Sequence, residues 1–143
     1  MGTVNCILKL KSNNILSVTP ETTVYKALET MVEKNVNALL VLENEKLVGI
    51  FSEKDYARKV ILKGKASKQT LIGDIMTKDL VTVSSHTTVD ECMQLMTNKF
   101  IRHLPVVDDG NLVGVISIGD LVKYIIDDQK FIIQNMEQYI TGR

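Results

Sequence analysis

At 143 residues, 45% hydrophobic and 24% charged, the chain is long enough to bury a real core and has the balance of an ordinary soluble globular domain. Its 17 basic and 17 acidic residues cancel, and the lysines are scattered rather than grouped, which disfavours nucleic acid as a partner. The longest apolar run, Ala38 to Leu42, is far short of the roughly 18 residues of a membrane span, and no signal-peptide core opens the chain, so a cytoplasmic protein with no membrane partner is expected.

Thr3 to Lys11 reads as a short leading helix, followed by a strand over Ile15 to Val18. Thr22 and Thr23 open a helix whose apolar residues Val24, Ala27, Leu28, Met31 and Val32 keep the spacing of one buried stripe. Ala38 to Leu42 and Leu47 to Phe51 form a hairpin through Glu43-Asn44-Glu45-Lys46, and a second helix runs from Lys54 to about Leu62. The polar, glycine-containing stretch Lys63 to Thr70 is the linker. Leu71 to Met76 then takes the place that the leading helix has before the first copy.

From there the chain is written again. Leu16 to Val60 falls without a gap, at an offset of 65, on Val81 to Ile125, so that Gly49-Ile50-Phe51-Ser52-Glu53-Lys54-Asp55 lies on Gly114-Val115-Ile116-Ser117-Ile118-Gly119-Asp120. The helix face recurs as Val89, Cys92, Met93 and Met96, behind a Thr88/Glu91 capping-box pattern that marks its start more firmly than in the first copy. A hairpin through Asp108-Asp109-Gly110-Asn111 follows. A last helix starts near Gly119 and runs towards Tyr139, with a break around Asp127-Asp128. Each copy therefore reads as strand, helix, strand, strand, helix. The division is 1–65 for repeat 1 with its leading helix and 66–143 for repeat 2 with a C-terminal helical extension. Each copy is too small to be comfortably stable alone, which predicts one compact α/β module.

The chemistry rests on few residues. Cys6 and Cys92 have no metal-ligand spacing, and Cys92 sits at an apolar helix position, which predicts a buried free thiol. No other pattern predicts a metal site. The doubled Gly-x-x-Ser-x-x-Asp has two readings. Ser52 and Ser117 are good N-caps, with Asp55 and Asp120 completing the reciprocal box. The same helix starts could also hold a phosphate, with the acidic side chain accepting from ribose hydroxyls. Arg58 and Lys123 lie three residues after the aspartates, where a cation could reach that phosphate. Arg102-His103 precedes the second hairpin where the first copy has Asn37-Ala38, so the two sites differ chemically.

These elements, in order and twice, closely resemble the cystathionine beta-synthase (CBS) domain family, as the tandem pair called a Bateman module. The resemblance rests on Val18-Thr19-Pro20, Thr22-Thr23-Val24, Ile101-Arg102-His103-Leu104-Pro105-Val106-Val107 and both Gly-x-x-Ser-x-x-Asp stretches. It implies two β-α-β-β-α units about a pseudo-twofold axis, with clefts between them that bind an adenine nucleotide: AMP, ADP, ATP or NAD. Carried over, ribose falls to Asp55 and Asp120, phosphate to Ser52, Ser117, Arg58, Arg102, His103 and Lys123, and adenine to the backbone at Asn37-Ala38 and Arg102-His103. Thr19 and Ser84, at the ends of the first strands, are weaker members. The function implied is a regulatory sensor with no catalytic residue, catalytic cofactor or metal, which passes a conformational change to an effector protein. A homodimer is expected through Tyr56, Val60 and Ile61 of one copy and Leu121, Ile125 and Ile126 of the other. A ligand-free dimerisation module, using Phe131, Ile132, Ile133, Met136 and Ile140, is the alternative. An enzyme using Ser117, His103 and Asp120 is disfavoured for want of a general base or a Walker loop.

Overall fold

Each copy of the repeat is organised around one antiparallel hairpin. A computed structural model describes residues 2–11 and 15–141. In the first copy β1 (Ser17–Val18) runs parallel to β2 (Ala38–Glu43), which pairs antiparallel with β3 (Lys46–Ser52). In the second, β4 (His103–Asp108) pairs antiparallel with β5 (Asn111–Ser117). Both turns place two residues at positive φ, Asn44 (51°) and Glu45 (66°), then Asp109 (51°) and Gly110 (80°), a twist that suits the flanking strands. The two hairpins shift register at the same place, between Val41 and Leu42 and between Val106 and Val107.

The first strand of the second copy, which the offset of 65 places at Leu80 to Val83, shrinks to one bridge, Val83 against Val106. The cause is Pro105. In the first copy the Leu40 N–H donates to the Leu16 carbonyl at 3.3 Å. The proline at the matching position has no N–H to give Val81. Only the bonds around Val83 survive, Val83 N–H to Pro105 O (3.0 Å) and Val107 N–H to Val83 O (2.8 Å).

The long helices α2 (Val24–Lys34) and α5 (Val89–Lys99) start at Thr23 and Thr88, whose hydroxyls accept from Lys26 N–H and Glu91 N–H. They end at Asn35 and Phe100, both left-handed. The box expected at Thr88 is half formed: the Glu91 carboxylate accepts from the Thr88 hydroxyl at 3.1 Å rather than from the backbone. The two starts are thus capped alike. Val24, Ala27 and Met31 face Leu39, Val41 and Phe51 in one core, and Val89, Cys92, Met96, Leu104, Val106 and Ile116 are the buried counterparts. Each such large side chain contributes roughly 1.5–3 kcal/mol of burial. Cys92 is the buried free thiol expected, pushed up to about 11 by burial, whereas Cys6 is free and exposed.

After the hairpins come α3 (Glu53–Lys59), closed by a single 3₁₀ turn over Ile61–Lys63, and α6 (Ile118–Thr141). The break expected at Asp127-Asp128 does not occur, because α6 has no proline or glycine there and both aspartates remain at least partly exposed. The short helices α1 (Val4–Leu8) and α4 (Ile72–Ile75) bury matching pairs, Val4/Ile7 and Ile72/Ile75.

Packing divides the chain into two compact units, residues 14–81 and residues 1–13 with 82–143. These units differ from the 1–65 and 66–143 division in where the leading helix falls. The leading helix α1 belongs with the second repeat, where Val4 N–H donates to Thr87 O and Val89 N–H to Gly2 O at 2.9 and 3.0 Å. The segment with α4 stays with the first, through Val24 N–H to Thr70 O and Ile72 N–H to Thr22 O at 2.9 and 2.8 Å. Each short helix lies over the motif glycine of its unit. A Cβ on Gly49 would meet Met76 Sδ at 2.5 Å and Thr77 O at 3.1 Å, and one on Gly114 would meet Leu8 Cδ2 at 2.8 Å.

The glycines should therefore respond unequally to alanine. Gly114→Ala pushes only the tip of a leucine, and the stiffer unfolded chain offsets it by about 0.4–1 kcal/mol. Gly49→Ala also presses on a backbone carbonyl locked by Ile50 N–H to Thr77 O (3.0 Å) and Thr77 N–H to Ile50 O (2.9 Å), and should lose about 1–3 kcal/mol. Urea unfolding of both variants checks the order.

Candidate functional site

The bond that assembles each site joins the first residue before a hairpin to the first residue after it. Asn37 O accepts from Glu53 N–H at 3.1 Å, and Arg102 O accepts from Ile118 N–H at 2.9 Å. The hairpin register does the rest, setting Ala38 opposite Ser52 and His103 opposite Ser117. Asn37, Ala38, Ser52 and Asp55 are thereby gathered in one unit, and Arg102, His103, Ser117 and Asp120 in the other. Thr19 and Ser84 are not brought there. The parallel pairing of Val18 with Val41, and of Val83 with Val106, puts them at the opposite end of their sheets. Five residues of strand separate the ends, about 16 Å. Both close turns instead, Thr19 N–H on Thr22 Oγ1 at 3.2 Å and Ser84 N–H on Thr87 Oγ1 at 3.1 Å. Arg58 and Lys123 are exposed, with no ion pair among the described residues.

Both capping boxes form. Ser52 N–H donates to Asp55 Oδ2 at 2.9 Å and Asp55 N–H to Ser52 Oγ at 3.3 Å; the second copy repeats this at 2.9 and 3.1 Å. The carboxylates are then used differently. Asp55 is 7% exposed. Its Oδ2 also accepts from the Ser52 hydroxyl at 3.2 Å, and its Oδ1 takes the Thr77 hydroxyl at 2.9 Å and the Lys59 ammonium at 3.2 Å. Asp120 keeps a quarter of its side chain exposed (26%). Its two hydrogen bonds, from Ser117 N–H and from Lys11 Nζ at 2.8 Å, both fall on Oδ2, and among the described residues Oδ1 meets no donor. Burial raises the Asp120 carboxyl, but the bonds from Lys11 and Ser117 and the Lys11 charge outweigh it and hold the group below its ordinary value.

Sequence reasoning missed Lys59, Thr77 and Lys11. Lys59 was legible in principle, one turn after Asp55. Lys11 was not, since 109 positions separate it from Asp120.

A model of the CBS domain matches residues 8–62 and 72–127, and the chain belongs to the CBS domain family, as a tandem pair. It is 40% identical over 149 residues to the Arabidopsis thaliana CBS domain-containing protein CBSX3, mitochondrial, spanning 98% of this chain and 72% of that protein. The structure of a CBS-domain protein from Burkholderia ambifaria MC40-6 matches with a TM-score of 0.86 and 48% identity, over 89% of this chain and 96% of the other. The CBS domain pair of protein MJ0100, solved in complex with 5′-methylthioadenosine and S-adenosyl-L-methionine, matches at TM-score 0.77 and 25% identity, over 90% and 98% of the two chains. Among the described residues no helix is long and apolar enough to cross a membrane.

His103 gives the site a pH signature. Burial is the main cause that pushes its ring below its ordinary 6.5; Asp120 works against this, while Lys11 and Arg102 add to it. As pH falls the unfolded chain therefore takes this proton first. The stability from burying a neutral ring is complete above 6.5 and is lost as pH drops through the window below it. Melting temperature measured from about pH 7.5 to 5 should fall more steeply for the wild type than for His103→Asn.

Proposed function

We propose that this chain is a regulatory module that binds an adenine nucleotide at the Asp120 site and passes the resulting change to an effector protein. In this reading Asp120 Oδ1 accepts from a ribose hydroxyl, and backbone at Arg102-His103 meets the adenine. Ser117, Arg102, His103 and Lys123 face the phosphates. The observation that carries it is the contrast between the aspartates: the Asp120 side chain is a quarter exposed and its Oδ1 meets no donor among the described residues, whereas both oxygens of Asp55 are taken inside its own unit. MJ0100's adenosyl ligands support adenosine as the shared element. AMP, ADP, ATP and NAD all present it, and the role is regulatory rather than catalytic. The ligand can shift the protein only by its differential affinity for two states. A cytoplasmic location is retained as part of the proposal; cell fractionation tests it against the mitochondrial label of the Arabidopsis relative.

Calorimetry against AMP, ATP, NAD and GMP tests the site. Adenine nucleotides should bind in preference to GMP, and a ligand at 100 times its dissociation constant should stabilise the fold by about 2.7 kcal/mol. Asp120→Ala should weaken binding by about 1.5–3 kcal/mol. Asp55→Ala should leave affinity within a few tenths of a kcal/mol and lower the melting temperature instead, because it strips buried donors of their acceptor. Equal losses of affinity in both variants would reject the single-site assignment.

We also propose a homodimer through α6. Val60 and Leu121, expected at that surface, are wholly buried in their own units and cannot contribute. Val122, Ile126, Ile133, Met136 and Ile140 instead form an exposed stripe at steps of three, four and seven residues. A helix end of this length with no packing partner is marginal in water. Light scattering at micromolar concentration should give twice the 16.0 kDa chain mass, and Ile133→Glu should halve it. A wild-type mass of 16.0 kDa would remove the proposal.

A further inference from the structure

Lys11 reaches the second site from outside the repeat that builds it. Its ammonium donates to Asp120 Oδ2 and to the Val115 carbonyl, both at 2.8 Å. A lysine has three N–H donors, so one remains without an acceptor among the described residues. In the other unit Lys59 contacts Asp55 Oδ1 at 3.2 Å, Ile75 O at 3.0 Å and Thr77 Oγ1 at 3.5 Å. Three acceptors there leave no donor over. The two lysines hold equivalent aspartates, and among the described residues only Lys11 has a donor to spare.

A second cation acts on the same histidine as Lys11. Lys11 neutralises Asp120, and Arg102 stands close enough for its charge, like that of Lys11, to act on His103. The His103 ring, depressed by burial, is neutral near pH 7 and adds no charge of its own. Among the described residues Asp120 is the one acid that acts on His103, and it is already paired.

We propose that Lys11 is a specificity-determining residue of the Asp120 site, selecting adenosine 5′-phosphates over uncharged or cationic adenosyl compounds. This rests on the nucleotide reading above and narrows it. A phosphate oxygen is an acceptor matched to an ammonium N–H, and the contact is charge-assisted. A thioether in the same place offers the lysine nothing, and a sulfonium cation is repelled by it. The ligands in MJ0100 are a thioether and a sulfonium, so this chain would differ from that protein in the chemistry it admits.

Calorimetric titration of the full chain with adenosine, AMP, ATP, 5′-methylthioadenosine and S-adenosylmethionine tests this on the wild type, Lys11→Met and Lys11→Arg. Lys11→Met should weaken AMP and ATP by about tenfold to a hundredfold, with adenosine and 5′-methylthioadenosine changed less than about threefold. Lys11→Arg should restore most of the AMP affinity, since it keeps the charge. If Lys11→Met lowers the melting temperature, Lys11→Gln, whose amide still donates to Asp120 and Val115, supplies the same comparison. Equal loss for adenosine and AMP would overturn the inference, reducing Lys11 to a positioning residue for Asp120; no loss for either would also overturn it. A wild type that binds none of the five ligands would instead overturn the nucleotide reading, and this inference with it.

Discussion

A strand can hand its chain to a helix at a fixed angle only if the N–H groups freed at the helix start find acceptors. In both units these are the serine hydroxyl and the carbonyl of residue 37 or 102, and the aspartate returns the bond to the serine backbone. The serine and the aspartate of each motif lie within three residues of that junction, and Lys11 and Thr77 reach it from distant parts of the chain. Because the carbonyl belongs to the far strand of the hairpin, the junction also closes hairpin and helix into one rigid corner. The glycine three residues before the serine has a related duty, letting a short helix lie close over the strand that feeds the corner.

The same corner serves two ends. In the first unit α3 is seven residues long and its aspartate is enclosed by Thr77 and Lys59, so the motif acts as internal scaffolding. In the second unit the helix is α6, 24 residues long, and its aspartate stays a quarter exposed, with one oxygen unclaimed among the described residues. Duplication followed by divergence at a few side chains would produce this: the position of Lys59 is held by Tyr124 in the second copy, and Lys11 supplies the cation from elsewhere.

The repeat was legible because core positions recur in register, and a core tolerates few substitutions of shape. The helix stripes of Val24, Ala27 and Met31 and of Val89, Cys92 and Met96 follow from spacing alone, as do the caps at Thr23 and Thr88. Four things were not legible. Pro105 looked like part of an apolar strand, and its missing donor mattered only once its neighbour was known. Asp127-Asp128 looked like an interruption, although two aspartates side by side break no helix when both can reach water. The partner of α1 was hidden because Val4 and Ile7 carry the same apolar pattern as Ile72 and Ile75, so nothing local says which sheet either pair covers. Lys11 was lost for the same reason, since a residue's charge is visible in a sequence but its long-range partner is not.

The allocation of α1 to the second repeat has a consequence for how the chain is made. Residues 14–81 close into a unit from one continuous stretch of chain. The other unit joins α1 and Lys11 to a strand and helix about a hundred positions later, Lys11 bonding Val115 and Asp120. Helix α1 precedes the sheet it packs on by about a hundred positions, so Val4 and Ile7 have nothing to cover until that sheet has been made. The loop that separates them shortens once the intervening unit has folded, because a compact body brings its two ends closer than a flexible chain of the same length. A folded first repeat thus shortens the span across which α1 must find its sheet.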